Sequence, residues 1–250
     1  MKNAFLRHDH PTLISMVQGE SEARVAELMR LSKEAGAEGF GLQMETLCAE
    51  ERTRETYERL FHLYDLPTYV TNYRFRTNAG KSDETLAEEL VEFAECGATL
   101  VDVMGDLYCP TRGELTLDED AIEKQKCLIR RIHEVGGLVL MSSHTKRRMT
   151  AEEVLSFAEA QQSRGADIAK IVSTAESPED EVEAMRAILL LREKLSIPFL
   201  YLVTDESKIL RRIGGKLGNC MHLGVYEYDA LATKEQPLIS DLLSTMSLLY

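Results

Sequence analysis

No CxxC pair occurs in this chain, and its five cysteines (Cys48, Cys96, Cys109, Cys127 and Cys220) are odd in number and widely spaced. That pattern argues against a disulfide framework and against a zinc site. A reducing cytoplasm is the expected compartment. No run of about 18 apolar residues is present, and the opening MKNAFLRHDH has no apolar stretch. Neither a membrane span nor a signal peptide is therefore expected. Basic charge is also short: 29 Lys and Arg against 42 Asp and Glu give a formal net charge of −13. Nucleic acid and anionic membranes need a basic surface, so both are disfavoured as partners. An acidic small molecule is not disfavoured, because a few arginines reverse the field inside one pocket. Trp is absent, which excludes nothing.

Linkers rich in Pro, Gly or Ser are missing too, and no low-complexity tract interrupts the chain. Its 250 residues, 44% hydrophobic and 28% charged, suit one large soluble domain over 1–250. Eight short apolar runs recur: PTLISMV (11–17), GFGLQME (39–45), TYVTNYR (68–74), TLVDVMG (99–105), GLVLMSS (137–143), DIAKIVS (167–173), PFLYLVT (198–204) and CMHLGVYEY (220–228). Near-continuous hydrophobicity of this kind suits parallel strands covered on both faces.

Amphipathic stretches fill the intervals. Leu86, Leu90, Val91 and Phe93 share a helical face that ends at Gly97. Thr150 and Ser177 read as N-caps, with Pro178 at a first helical position and Gly165 past a helix end. A closing helix is expected over about 238–249. Eight strands alternating with about eight helices predict a single-domain (β/α)8 TIM barrel. A doubly wound sheet is the alternative, disfavoured because no GxGxxG follows the first strand.

A barrel places its active site at the C-terminal ends of its strands. Glu45, Arg74, Asp102, His144, Lys170 and Thr204 fall there. Lys170 lies inside an apolar run, Ile168-Ala169-Lys170-Ile171-Val172. Burial disfavours its charged form, and a neutral amine attacks carbonyls to form imines. The plainer alternative is a lysine that snorkels or pairs with a structural carboxylate. His144 ends the preceding apolar run, at a depth expected to match that of Lys170. It either moves protons or caps a loop. Arg74, Arg76, Arg211 and Arg212 can each fork onto a carboxylate or lie solvated at the surface. His8-Asp9-His10 looks like a metal-binding HxH, but it precedes the first strand, so it reads as a solvated terminus. The Ser177–Glu181 run is a helix start complementing the helix dipole.

Three segments, in strand order, carry a family resemblance: Met141-Ser142-Ser143-His144, Gly165-Ala166-Asp167-Ile168-Ala169-Lys170-Ile171, and Leu210-Arg211-Arg212-Ile213-Gly214-Gly215. Together with Gln236-Pro237-Leu238-Ile239-Ser240-Asp241-Leu242 and the interval from His144 to Lys170, they make the chain resemble type I 3-dehydroquinate dehydratases over nearly its whole length. The resemblance implies a shikimate-pathway lyase that uses no metal and no organic cofactor. Lys170 matches the imine lysine and His144 the acid/base. Arg212 matches the substrate-carboxylate arginine, Arg74 the strand-three arginine and Gln236 the lid glutamine.

The departures lie around the substrate ring. The family's Glu-x-Arg-x-Asp reads here as Gly41, Gln43 and Glu45. An acidic position becomes Asn78, the histidine-orienting carboxylate becomes Met104, and the lid serine becomes Ala232 with Thr233 beside it. Gln43, Glu45 and Thr233 are then the expected substrate contacts at those places. Three readings follow: a dehydratase converting 3-dehydroquinate to 3-dehydroshikimate, a divergent Schiff-base lyase or aldolase for another keto acid, and a non-catalytic barrel that binds a small acid. The expected partner is a small keto acid. The apolar closing helix either covers the barrel or joins a homodimer.

Overall fold

The computed structural model of the protein describes residues 4–6, 10–205 and 208–250. Among them, strands and helices alternate along the chain. They are β1 (Thr12–Val17), α1 (Glu22–Glu34), β2 (Gly39–Gln43), α2 (Arg54–Phe61), β3 (Thr68–Thr71), α3 (Asp83–Glu95), β4 (Leu100–Met104), α4 (Glu119–Glu134), β5 (Leu138–His144), α5 (Ala151–Ser163), β6 (Ile168–Ala175), α6 (Pro178–Lys194), β7 (Phe199–Asp205), α7 (Leu210–Leu217), β8 (Met221–Gly224) and α8 (Ile239–Leu249).

The strands run parallel in the order β7-β6-β5-β4-β3-β2-β1-β8. At the seam the Asn219 side chain acts as a piece of strand. Its Oδ1 accepts from Tyr201 N at 2.8 Å and its Nδ2 donates to Tyr201 O at 2.9 Å. Beside it, Cys220 N donates to Phe199 O at 2.9 Å. The result is the nearly closed (β/α)8 barrel that eight sequence repeats predict. Sequential strand order with no switch point rules out the doubly wound alternative.

Local chemistry sets the helix starts. Thr150 and Glu153 form a reciprocal capping box at α5, and Ser177 caps α6 with Pro178 at its first turn. Two sequence expectations shift. The strands are shorter than the apolar runs, so Glu45 sits in a 3-10 turn, Met44–Thr46, and Arg74 lies past the end of β3. The Leu210–Gly215 segment is helical, as the first turns of α7. A side chain at Gly215 would run into Pro11 and His222, so the missing Cβ lets α7 lie close to the barrel.

Alternation along the strands fills the barrel with Ile14, Met16, Tyr69, Leu100, Leu140, Ile168, Leu200 and Leu223, which form one buried cluster. In α8, Ile239, Leu242 and Met246 pack on Leu13 and Ala37, so its apolar face covers the barrel. His8 and Asp9 lie outside the described residues. His10 packs against Tyr250 with ring centroids 5.3 Å apart. The five cysteines are free. Among the described residues no helix is long and apolar enough to cross a membrane.

Candidate active site

Strand register decides which side chains meet. Lys170 is paired with Ser142 across β5 and β6, and His144 with Val172. Lys170 and His144 therefore share the inward face, with His144 two residues nearer the C-terminal rim. That is about 6.6 Å of strand rise, not the matching depth expected from the sequence. Both line a cavity of about 640 Å³ at that rim.

The amine of Lys170 is 5% exposed but not alone. Its Nζ donates to Tyr69 Oη at 2.9 Å, Tyr73 Oη at 2.8 Å and Asp102 Oδ2 at 3.1 Å. Both phenols donate in turn to the same carboxylate oxygen, Tyr73 at 2.6 Å, and Ser142 Oγ donates to Oδ1 at 2.5 Å. Burial by itself would raise the Asp102 carboxyl. The Lys170 charge and the hydroxyls of Ser142, Tyr69 and Tyr73 outweigh it and hold the group below its ordinary value. Burial, followed by the Asp102 charge, pushes both phenols well above theirs. The lysine is thus a satisfied ion pair at the floor of a cavity, with all three N–H bonds directed.

His144 is held by a residue that local sequence spacing does not mark. Its Nδ1 lies 2.8 Å from Glu114 Oε2, and its backbone N donates to the same oxygen at 2.9 Å. With Nδ1 carrying the proton toward Glu114, Nε2 keeps a lone pair for other chemistry. Burial would raise the Glu114 carboxyl, but the hydrogen bond and charge of His144 keep it lowered. Glu114 sits at φ 49°, a left-handed backbone that a non-glycine residue rarely adopts, and Arg76 and Lys146 on the same cavity wall are at 56° and 49°. The loop after β4 is bent to deliver this carboxylate.

The remaining expected contacts divide. Gln43, Thr233 and Gln236 line the cavity. Gln18 links the first two, donating to Gln43 Oε1 and, at 3.2 Å, to Thr233 Oγ1. Gln236 Oε1 is buried without a hydrogen-bond partner among the described residues. Arg74 also lines the cavity, but its fork is occupied. It donates to both Asp83 oxygens at 2.7 and 2.8 Å and to Asp106 Oδ1 at 2.7 Å. Glu45 is fully buried outside the cavity wall and accepts from Thr71 Oγ1 at 3.0 Å on both oxygens. Burial lifts its carboxyl to about 7.

Arg212 lines a neighbouring pocket of about 300 Å³ and donates to Lys208 O at 3.0 Å. It does not line the cavity of Lys170. Its neighbour Arg211 lines both, is 7% exposed, and donates from Nε to Val203 O at 2.9 Å. Burial lowers it to about 10.

Sequence reasoning missed Tyr69, Tyr73, Glu114 and Gln18. The two tyrosines carried a signal, since a buried lysine demands polar partners and both sit on one strand run before Arg74. Glu114 and Gln18 carried none. The departures are also filled. The space a side chain at Gly41 would use holds the Met16 side chain. Asn78 donates to Asn72 Oδ1 at 2.7 Å and to Tyr73 O at 2.9 Å, fastening the segment that carries Tyr73. Met104 is part of the cavity wall. Among the described residues, no three His, Cys, Asp or Glu side chains are grouped to hold a metal ion.

Fold and site define a class: a (β/α)8 barrel with an ion-paired lysine at the floor of its C-terminal cavity and a carboxylate-held histidine above it. Within that class the chain belongs to the type I 3-dehydroquinase family, whose model matches residues 14–250. The 3-dehydroquinate dehydratase of Alkaliphilus oremlandii is 31% identical over 106 residues, 42% of this chain and 40% of that protein. That of Klebsiella pneumoniae is 31% identical over 114 residues, 44% of each. Each match thus spans less than half of the curated relative. The solved 3-dehydroquinate dehydratase of Geobacillus kaustophilus superposes with a TM-score of 0.80 at 19% identity, covering 96% of this chain and 91% of that one. That likeness establishes the fold.

Proposed function

We propose that the chain is a Schiff-base dehydratase that converts 3-dehydroquinate, or a close cyclic keto acid, to the conjugated enone. The supporting observation is the placement of Lys170: buried, paired with Asp102, and open to a cavity that His144 also lines. In this reading Nζ replaces the ketone oxygen of the substrate and forms a protonated imine. The imine nitrogen carries the positive charge that the ammonium carried, so Asp102 faces a cation before and after the step. That charge draws electrons from the neighbouring carbon, where His144 Nε2 removes a proton. The β-hydroxyl then leaves with a proton returned by His144, and water releases the enone from Lys170. Glu114 stabilises the imidazolium formed in between. Arg211 takes over the carboxylate role that the resemblance gave to Arg212, because it faces this cavity without a carboxylate hydrogen-bonded to it among the described residues.

Intact mass after incubation with 3-dehydroquinate and sodium borohydride tests the reading. A mass gain equal to the reduced adduct, absent from Lys170→Ala, supports it, and enone absorbance then follows turnover. No adduct from the folded protein overturns it.

A second reading, the same imine on a different keto acid, is favoured by Met16 over Gly41, by the occupied fork of Arg74, and by the neutral Gln18–Gln43–Thr233 chain. These make one cavity wall less charged than the resemblance implies. A panel of keto acids under borohydride separates the two. The binding-barrel alternative predicts no adduct with any carbonyl compound. A homodimer through α8 would rest on Leu248, which is 87% exposed, because Ile239, Leu242 and Met246 pack on the barrel.

A further inference from the structure

Resting on the imine reading, we infer that Tyr73 is a catalytic residue: its hydroxyl carries the protons that must pass from the Lys170 nitrogen to the ketone oxygen while the imine forms. The balance of that step defines the need. An ammonium holds three protons and a protonated imine holds one. The two that leave both end on the departing oxygen, which becomes water, and the single positive charge begins and ends on nitrogen. Some group must reach both the nitrogen and the ketone oxygen.

Among the described residues, three groups hydrogen-bond to Nζ. Asp102 is almost fully buried and accepts four hydrogen bonds, from Tyr69, Tyr73, Ser142 and Lys170. Tyr69 is sealed at 0% exposure and forms no part of the cavity wall. Tyr73 is part of that wall, and its hydroxyl lies 2.8 Å from Nζ and 2.6 Å from Asp102. His144 stands higher on the strand, with its ring edge-on to Tyr73 at 5.3 Å.

The relay runs without a phenolate. As Nζ–H passes a proton to Tyr73 Oη, the Tyr73 O–H proton passes to Asp102, leaving a neutral amine, a neutral phenol and a neutral carboxyl. The amine adds to the ketone carbon, and the C–O π bond breaks. Tyr73 protonates the new alkoxide and is reprotonated from Asp102. The addition product still carries an N–H proton beyond the one it retains as the imine. That proton follows the same path to the hydroxyl, the C–O bond breaks, and water leaves. The remaining N–H of the imine faces Asp102. His144 stays free for the carbon-bound proton, so each step has its own group.

The test is the rate of borohydride-trapped adduct in a single turnover, read by intact mass, for wild type, Tyr73→Phe, Tyr69→Phe and His144→Ala. Tyr73→Phe removes only the hydroxyl and keeps the ring that stacks with Phe75 and meets His144 edge-on, so folding is preserved, checked by melting temperature. Tyr73→Phe is expected to slow trapping by about 10²–10⁴-fold, the effect of a lost proton-transfer group, with substrate affinity unchanged. His144→Ala is expected to trap near the wild-type rate and fail only at elimination. The relay is overturned if Tyr73→Phe traps like wild type, or if Tyr69→Phe slows trapping equally, since both phenols would then merely hold the lysine. It is also overturned if His144→Ala slows trapping as much as Tyr73→Phe. A wild-type protein with no adduct removes the imine reading and the relay with it, a result distinct from the others.

Discussion

Glu114 Oε2 grips His144 twice, at 2.8 Å on Nδ1 and 2.9 Å on the backbone N. Family resemblance placed the orienting carboxylate where Met104 stands. The loop after β4 supplies it instead, on a left-handed backbone. Replacing Glu114 by Gln keeps a polar group but removes the charge that favours the imidazolium. We expect kcat to fall by about 10-fold for Glu114→Gln and about 100-fold for Glu114→Ala, as each factor of ten is about 1.4 kcal/mol of barrier. Borohydride trapping should stay near wild type, because Glu114 acts through His144. Unchanged kcat in both variants would detach Glu114 from the chemistry.

Asp102 and Lys170 hold each other's charge at the buried floor of the cavity. Removing one partner of a buried pair costs about 3–5 kcal/mol, whereas replacing both with apolar groups of similar size is close to neutral. Lys170→Ala should therefore lower stability by about 3 kcal/mol or more in urea, and Lys170→Met combined with Asp102→Leu should recover only part of it, because Tyr69, Tyr73 and Ser142 lose the acceptor they share. Equal stability of Lys170→Ala and wild type would mean that the pair contributes nothing to folding. The sign of the pH effect follows from the depressed Asp102 carboxyl. Its stabilisation is present above the ordinary carboxyl value of about 4 and is lost as pH falls through the lower folded value. The stability gap between wild type and Asp102→Asn should accordingly narrow below pH ~4.

Glu45 has the opposite sign. Burial raises its carboxyl to about 7, so the folded protein holds this proton more tightly than the unfolded chain does. Its favourable contribution is complete below about pH 4 and disappears as pH rises through 7. Melting temperature of the wild type should decline from pH 5 to 8 by an amount worth on the order of 3 kcal/mol. Glu45→Gln should flatten that decline while keeping a hydrogen bond with Thr71. Parallel curves for the two proteins would show that Glu45 is ionised at no cost.

Periodicity exposed the barrel because parallel strands buried on both faces leave near-continuous apolar runs, and a lysine inside such a run stands out. Register was less legible. A composition signal marks Lys170 and His144 as neighbours on adjacent strands, but their two-residue offset depends on β5 and β6 pairing Ser142 with Lys170. Arg74 and Arg212 show another limit. Whether a guanidinium is free depends on Asp83, Asp106 and the turn of α7, all distant from the motif. Glu114 was illegible because a carboxylate delivered by a strained loop has no fixed spacing from the residue it serves.

A side chain at position 41 would enter the volume held by the Met16 thioether. Gly41→Glu alone must displace Met16 and bring a carboxylate against apolar wall, so it should destabilise the protein by about 1–3 kcal/mol. Met16→Ala opens that volume, and Met16→Ala with Gly41→Glu places a carboxylate where the family resemblance expects one. If the chain has diverged toward another keto acid, the double variant should raise kcat/KM on 3-dehydroquinate above that of either single variant and of wild type. If wild type already turns over 3-dehydroquinate efficiently and the double variant is slower, the Met16 wall is part of a working dehydratase site, and the second reading fails.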